Sequence, residues 1–346
     1  MSILIRYPHN NSALAKGCVA TIGNFDGVHA GHSALLLQLK QRAHILNLPS
    51  LVLVFEPQPF EFFVPEPSLS RLTRFREKYY YLSKTGVDMI YVMRFASQLA
   101  GLDAQAFMEK ILRQSLHVKY LVLGSDFRFG YKRQGDIALL QSSGWPVDVV
   151  PDLEREGERV SSTRIRHALR DGDLVLAEKL LGHPYCMMGR VVRGNQLGRA
   201  LGFPTANINV HRRVTPVQGI YAVRVHGLKH HVLLGVANVG TRPTIGGTRT
   251  LLEVHLFDFS DDIYGRSIRV EFCKKLRDEE YYPNLDLLKA QMRQDVLDAR
   301  GYFNTSSVIS APLIVIPAPL IVIPAKAGTH PAKISNSEKL AERKLD

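Results

Sequence analysis

Thr21-Ile22-Gly23-Asn24-Phe25-Asp26-Gly27-Val28-His29-Ala30-Gly31-His32 decides how the first half of the chain is read. A short apolar run from Cys18 to Ile22 leads into it and predicts a buried strand. The amphipathic run from Ser33 to Leu46 that follows predicts a helix. Strand, glycine-rich turn and helix start therefore come in succession. That order lets backbone approach a phosphate closely and aims helix N–H groups at an anion. His29 and His32 can reach one ligand from one face. Taken singly, Gly27 and Gly31 fit ordinary turns. The two histidines alone fit an exposed helix start, or a metal pair lacking its third ligand. An acid, three glycines and two histidines within one turn point instead to an anion site. The string matches neither G-x-x-x-x-G-K-[ST] nor G-x-G-x-x-G.

Composition sets the frame. A length of 346 residues suggests about two domains, and 45% apolar residues can bury substantial cores. Lys and Arg number 44 against 32 Asp and Glu, a formal net charge of +12. This excess suits anionic partners such as nucleotides or pyrophosphate. No long Lys/Arg block or basic repeat occurs, so dedicated nucleic-acid binding is not expected. Cys18, Cys186 and Cys273 are far apart and form no C-x-x-C, so neither a zinc site nor a disulfide framework is indicated. Cys18 and Cys273 sit in apolar runs and read as buried thiols. The apolar run within Met1–His9 is too short for a signal peptide, and the expectation is a cytoplasmic protein.

Strands are predicted at Val19–Ile22, Leu51–Phe55, Met89–Val92, Tyr120–Leu123 and Val147–Val150. Helices are predicted at Ser33–Leu46, Leu72–Lys84, Ala104–Leu116 and Asp136–Ser142. This alternation implies a parallel sheet covered by helices, which binds ligands beyond the carboxyl ends of its strands. Gly124-Ser125-Asp126-Phe127-Arg128-Phe129-Gly130 follows one such strand. Asp126 can accept from a ribose hydroxyl or an adenine amine, and Arg128 can bind phosphate. Val160-Ser161-Ser162-Thr163-Arg164 precedes another helix, with Ser162 or Thr163 as its expected N-cap. Two hydroxyls, helix N–H groups and Arg164 would together cradle an anion.

Gly182-His183-Pro184 breaks the helical pattern and reads as a linker. Beyond it the chain alternates apolar and polar residues between frequent glycines. Strands are predicted at Met187–Arg193, Ile220–His226, His231–Val239, Leu251–Phe257 and Ser267–Lys274, with a helix from Leu285 to about Arg300. A compact antiparallel barrel carrying a terminal helix is the expected result. Thr205 and Asn207 present two oxygen ligands on one side of an extended segment, which suits a Mg²⁺-nucleotide. Glu253 and His255 share a strand face.

The first motif, G-x-F-D-x-x-H-x-G-H, resembles the HxGH nucleotidylyltransferase superfamily. With Gly124–Gly130 (similar to G-x-D-F-x-F-G) and Val160–Arg166 (similar to I-S-S-T-x-x-R), the first half resembles bacterial bifunctional riboflavin kinase/FMN adenylyltransferases. Gly189–Asn207 resembles their kinase signature, G-x-x-x-G-x-x-x-G-R-x-L-G-F-P-T-A-N. The likeness spans roughly Thr21 to Phe303. It implies a Rossmann-like α/β domain over residues 1–181 and a riboflavin kinase β-barrel with a terminal helix over 182–303. It also implies ATP, riboflavin and FMN as substrates, FAD as product, and Mg²⁺.

By the same resemblance, His29, His32 and Arg164 act on the ATP phosphates, with Ser162 and Thr163 at the leaving β,γ-phosphates. The nucleotide lies against Gly23, Asn24, Phe25, Asp26, Gly124, Asp126, Arg128 and Ser161. In the second half Gly194, Gly198 and Arg199 face phosphate, and Thr205 and Asn207 hold the metal. Asn238, Arg242, Pro243 and Thr244 line the flavin, and Glu253 takes the proton of the riboflavin 5′-hydroxyl. Similar proteins often carry His at the position of Gln58, so no role carries over to it. The rival readings are a single-activity enzyme and a nucleotide- or RNA-binding regulator without chemistry.

Residues 304–346 stand outside the resemblance and read as a low-complexity tail. Ala311-Pro312-Leu313-Ile314-Val315-Ile316-Pro317 recurs identically at Ala318–Pro324. The run raises the question of a membrane span, but its regularly spaced prolines argue against a stable helix, and no membrane partner is expected. Nothing in the sequence identifies a protein partner.

Overall fold

Val19, Ala20, Leu51, Leu53, Leu121 and Val122 are apolar and wholly inaccessible to solvent. Strands buried on both faces call for a parallel sheet with helices on either side. The computed structural model, which describes residues 2–6, 14–64, 70–194, 198, 201–244 and 247–307, contains such a sheet. Its strands are β1 (Ile3–Arg6), β2 (Cys18–Ile22), β3 (Ser50–Glu56), β4 (Met89–Arg94), β5 (Val118–Gly124) and β6 (Val147–Val150). They lie in the order β1-β4-β3-β2-β5-β6, all parallel. Order reverses beside β2, which pairs with β3 on one side and β5 on the other. A crevice opens at such a switch point, beyond the carboxyl ends of the strands. The loops after β2 and β5 carry the first motif and Gly124–Gly130.

Helices α1 (Ala30–Ile45), α2 (Pro59–Phe63) and α3 (Phe75–Lys84) follow β2 and β3. Helix α1 buries Leu35, Leu36, Leu39 and Ala43 and begins three residues before the sequence indicated, because His29 caps it. Helix α3 begins three residues later than expected. The Leu72 and Thr73 N–H groups donate to the Asp26 carboxylate and so are directed away from any helical ladder. The expected helix at 104–116 is α-helical only over Ala104–Ala106 and π-wound over Phe107–Ser115. Strand β1, absent from the sequence reading, is four residues long and leans on β4 in the register Ile3↔Met89.

After the short hairpin β7 (Glu154–Arg155) and β8 (Glu158–Arg159), helices Ser162–Arg170 and Leu174–Leu181 lead to the linker. The remaining strands are β9 (Cys186–Val192), β10 (Thr205–Asn209), β11 (Gly219–His226), β12 (Leu233–Thr244), β13 (Gly247–Leu256) and β14 (Ser267–Arg277). They close a barrel in the order β10-β13-β12-β11-β14-β9, antiparallel throughout. Closure leaves no sheet edge unpaired. Val191, Ile208, Tyr221, Val223, Val254 and Phe272 fill it, and Leu72 of the first half belongs to the same apolar cluster. The terminal helix, Leu285–Ser307, seats Ala299 and Phe303 on Ala222 and Phe257. It runs past Arg300 and past residue 303, so the first residues assigned to the tail are helical. The repeat at 311–324 lies outside the described residues. Cys18 is buried as expected, whereas Cys273 is only half-buried.

Barrel closure at β9–β10 needs a residue without a side chain. A Cβ on Gly189 would lie 2.5 Å from Ile208 Cγ2 and 2.6 Å from the Asn209 carbonyl oxygen. Gly189→Ala is expected to destabilise the protein by roughly 2 kcal/mol, as overpacking does. Thermal unfolding by calorimetry measures this, and an unchanged midpoint would show that the seam accommodates a methyl group.

Candidate functional site

Two helix N-termini meet beyond β2. His29 adopts an extended backbone (φ −72°, ψ 173°) and caps α1: the His32 N–H donates to His29 Nδ1 at 3.4 Å. The His29 N–H in turn donates to His32 Nδ1 at 3.2 Å. The two rings stack with centroids 3.6 Å apart and planes 19° apart. Gly31 permits this, since a Cβ there would come within 3.3 Å of the His29 ring. Because each Nδ1 accepts a hydrogen bond, each neutral imidazole carries its proton on Nε2. The pair therefore offers two outward donors. Burial holds the His29 pKa down to about 4, although the nearby Asp26 carboxylate pulls upward. Burial, followed by the His29 and Lys78 charges, keeps His32 well below its ordinary value. Both rings are neutral at pH 7 in the ligand-free protein.

The second N-terminus belongs to Ser162–Arg170. Its N-cap is Ser161, whose Oγ accepts from the Arg164 N–H at 3.2 Å; the expectation of Ser162 or Thr163 was off by one position or more. Ser162 has another partner, because its Oγ donates to the Asp26 carbonyl at 3.0 Å and ties this helix to the motif loop. Thr163 is exposed. Neither helix carries an acidic residue in its first turn, so their positive dipole ends are left uncompensated for an anion.

The other expected residues occupy varied positions. Asp26 is buried, and its carboxylate accepts from Leu72 N, Thr73 N, Thr73 Oγ1 and Arg166. It holds the loop together, each of its oxygens accepting two hydrogen bonds from described residues. Phe25 is 1% exposed and packs on His32 at 4.9 Å between centroids. Gly23 hydrogen-bonds to Leu53 O, and Asn24 is exposed at the loop. Gly124 ends β5; Asp126 is exposed and pairs with Arg159 at 2.6 Å, and Arg128 donates to the Phe127 carbonyl. Arg164 is held against the β7–β8 hairpin by the carbonyls of Arg155 and Glu158 and by the Glu158 carboxylate. Gln58 is buried at the start of α2 with its Nε2 unpartnered among the described residues.

Sequence reasoning missed Arg159, Arg166 and Lys78. Lys78 is 1% exposed, its Nζ has no hydrogen-bond partner among the described residues, and burial lowers its pKa to about 8. Nothing in the local pattern of α3 distinguishes it from a surface lysine.

A separate cavity of about 740 Å³ lies between the outer wall of the barrel and the terminal helix. Thr205, Asn207, Asn238, Glu253, His255 and Gly198 are among its lining residues. Strand register explains the grouping: Glu253 on β13 faces Asn207 on β10 and Asn238 on β12, so the three stand abreast. The Asn238 Oδ1 is buried without a partner among the described residues, a vacant acceptor on the cavity wall. His255 donates from Nδ1 to the Pro204 carbonyl at 3.0 Å. Gly194 gives room to Asn207, whose amide lies 2.3 Å from where a Cβ would stand. Arg277, unmarked in the sequence, lines the same cavity, fixed by Asp295 of the terminal helix at 2.7 and 2.8 Å. Arg199 and the side chains of Arg242, Pro243 and Thr244 lie outside the described residues.

Comparison with known proteins follows the same division. The FAD synthetase family profile matches residues 11–164 and the riboflavin kinase profile residues 181–303. The chain is 50% identical over 306 residues to the bifunctional riboflavin kinase/FMN adenylyltransferase of Haemophilus influenzae, covering 87% of this chain and 99% of that protein. It is 51% identical over 305 residues to the Escherichia coli protein of the same description, covering 87% and 97%. A crystal structure of a Streptococcus pneumoniae chain described as a macrolide-efflux protein superposes with a TM-score of 0.74 at 33% identity, over 86% of this chain and 99% of that one. Among the described residues of the present chain, no helix is long and apolar enough to cross a membrane.

The buried histidine pair has a consequence for stability. Between about pH 6.5 and 4 an unfolded chain binds a proton at His29 that the folded chain refuses. Stability is therefore present above 6.5, is lost as pH falls towards 4, and levels off below. A shift of that size corresponds to roughly 3 kcal/mol. His29→Gln, which keeps a capping acceptor, is expected to flatten the pH dependence of the denaturation midpoint over this window. Equal slopes for the two proteins would show that His29 is not held neutral.

Proposed function

Since this chain belongs to the bifunctional riboflavin kinase/FMN adenylyltransferase family, we propose a division of labour in which residues 1–181 carry out adenylyl transfer and 182–303 carry out phosphorylation. The chain is a riboflavin kinase and FMN adenylyltransferase. The observation that carries the division is that the halves present different groups: neutral imidazole donors and helix N-termini in one, a carboxylate between two asparagines in the other.

In the barrel, the riboflavin 5′-hydroxyl lies at Glu253. Glu253 takes its proton as the oxygen bonds to the γ-phosphorus of ATP, and the bond from that phosphorus to the ADP oxygen breaks. Asn207 and Asn238 hold the carboxylate and the substrate hydroxyls in register. Thr205 and Asn207 contribute uncharged oxygens on one side of β10, a donor set that suits a Mg²⁺ arriving with nucleotide phosphates and water. When bound, that ion would neutralise phosphate charge.

Beyond the carboxyl end of β2, an FMN phosphate oxygen attacks the α-phosphorus of a second ATP and pyrophosphate leaves. The nucleophile is already ionised, so no base is required. His29 and His32 donate from Nε2 to phosphate oxygens, and the N-terminus of Ser162–Arg170 receives the β,γ-phosphates. Arg164 reaches them by exchanging its carbonyl partners on the β7–β8 hairpin for phosphate oxygens. We place the reaction in the cytoplasm, a reducing compartment that suits the three unpaired thiols.

Products are separated by chromatography after incubation with riboflavin, ATP and Mg²⁺, and separately with FMN, ATP and Mg²⁺. Glu253→Gln is expected to lower FMN formation by about 10²-fold or more while sparing FAD formation from supplied FMN. His32→Ala should do the converse, with a loss of about 10²-fold. Near-normal kinase turnover in the first variant, or unaffected FAD formation in the second, would refute the corresponding assignment.

A further inference from the structure

Arg212 lies in the barrel, between β10 and β11, yet its guanidinium is directed into the first half of the chain. It is 4% exposed. Its terminal nitrogens donate to the carbonyls of Arg71 and Leu72 and to the Glu77 carboxylate on α3. Glu77, 1% exposed, also accepts from the Arg74 N–H at 2.6 Å and from the Met188 N–H of β9 at 2.8 Å. The segment Ser70–Arg74 is thus clamped from the barrel side. From its other side Leu72 N, Thr73 N and Thr73 Oγ1 donate to Asp26 at 3.1, 3.0 and 3.2 Å, and Gly27 N donates to Thr73 Oγ1 at 2.9 Å. Gly27 sits at φ +85°, where a Cβ would lie 2.8 Å from Leu72 Cδ1. His29 follows two residues later. At the barrel end, the Arg212 carbonyl accepts from Thr250 N on β13, three residues before Glu253.

A continuous, buried set of hydrogen bonds therefore runs from the strand bearing Glu253 to the loop bearing His29. We propose that Arg212 is a positioning residue for FMN adenylylation: the barrel completes the adenylyl site by fixing Ser70–Arg74, on which Asp26 and Gly27 rest. This rests on the assignment of the His29/His32 loop to adenylyl transfer. Two features set the segment apart from ordinary interface packing. Two of its backbone donors, Leu72 N and Thr73 N, are spent on Asp26 and two of its carbonyls on Arg212, so it is held from both sides. Leu72 itself lies in the barrel's apolar cluster.

The variants are made in the full chain. Arg212→Met alone leaves the Glu77 carboxylate buried without its cation and can unfold the protein. The informative variant pairs Arg212→Met with Glu77→Gln, which removes both charges and keeps an acceptor for Met188 N. Folding is checked by circular dichroism. We expect kcat for FMN-to-FAD conversion to fall at least tenfold with KM for FMN changed less than threefold, while riboflavin phosphorylation stays within threefold of wild type. Arg212→Lys should recover part of the loss, and amide exchange at Gly27 and Thr73 should quicken in the double variant. Unchanged FAD formation, or equal loss of both activities, would overturn the proposal. The underlying assignment is tested separately: if His32→Ala keeps FAD formation while the double variant loses it, the loop assignment fails and the barrel's influence stands.

Discussion

A single carboxylate, Asp26, determines how the first half of this protein is arranged. A buried carboxylate is costly unless donors surround it. Here two backbone N–H groups, a threonine hydroxyl and Arg166 do so. Those donors come from a segment 46 residues away and from the helix that starts at Ser162. The requirement fixes three things at once. It stops Leu72 and Thr73 from joining α3, it sets the height of the Gly27 turn beneath α1, and it brings the Ser162 helix against the loop, a contact sealed by Ser162 Oγ on the Asp26 carbonyl. The convergence of two helix N-termini follows from satisfying one buried charge.

The same economy explains the histidines. Each imidazole spends Nδ1 on the other residue's backbone N–H, so the cap of α1 and the orientation of the rings are one arrangement. An imidazole fixed in this way stays neutral and presents an N–H. Donors of this kind stabilise phosphate oxygens as negative charge shifts among them, without adding the desolvation cost of a second buried cation.

Much of this was legible in the chain. Fully apolar strands separated by amphipathic stretches mark a parallel sheet, and frequent glycines with alternating polarity mark a barrel, because both signals are local. Local signals also gave the His29/His32 turn and the Thr205/Asn207 pair. What was missed is non-local. The start of α3 depends on Asp26, far away in sequence. Strand β1 is four residues long and exists because β4 offers it an edge. Strand β10 carries Thr205, Ala206 and Asn207, a run read as extended but given its place in the barrel only by pairing with β9 and β13. Arg212 and Glu77 look like surface charges in their own segments. Only the packing of two halves makes them a buried pair. The capping serine was misplaced for a different reason: Ser161, Ser162 and Thr163 all have capping chemistry, and the choice turns on which one the Asp26 carbonyl recruits.

In the proposed assignment the two sites present different groups to their nucleophiles, and the chemistry of the nucleophile accounts for it. A ribityl hydroxyl carries a proton that must leave, so in the proposed assignment its site needs an acceptor, and the barrel register sets Glu253 between Asn207 and Asn238. An FMN phosphate is already an anion meeting a polyphosphate, so its site needs donors and positive potential. A carboxylate exposed there would repel both substrates. Asp26 is tolerated in that loop because every lone pair facing the site is turned away into Leu72, Thr73 and Arg166. Donor-rich loops are built at the ends of parallel strands that lead into helices, and rows of side chains standing abreast are built across antiparallel strands. Each half-reaction thus uses the fold whose backbone geometry presents the polarity it requires.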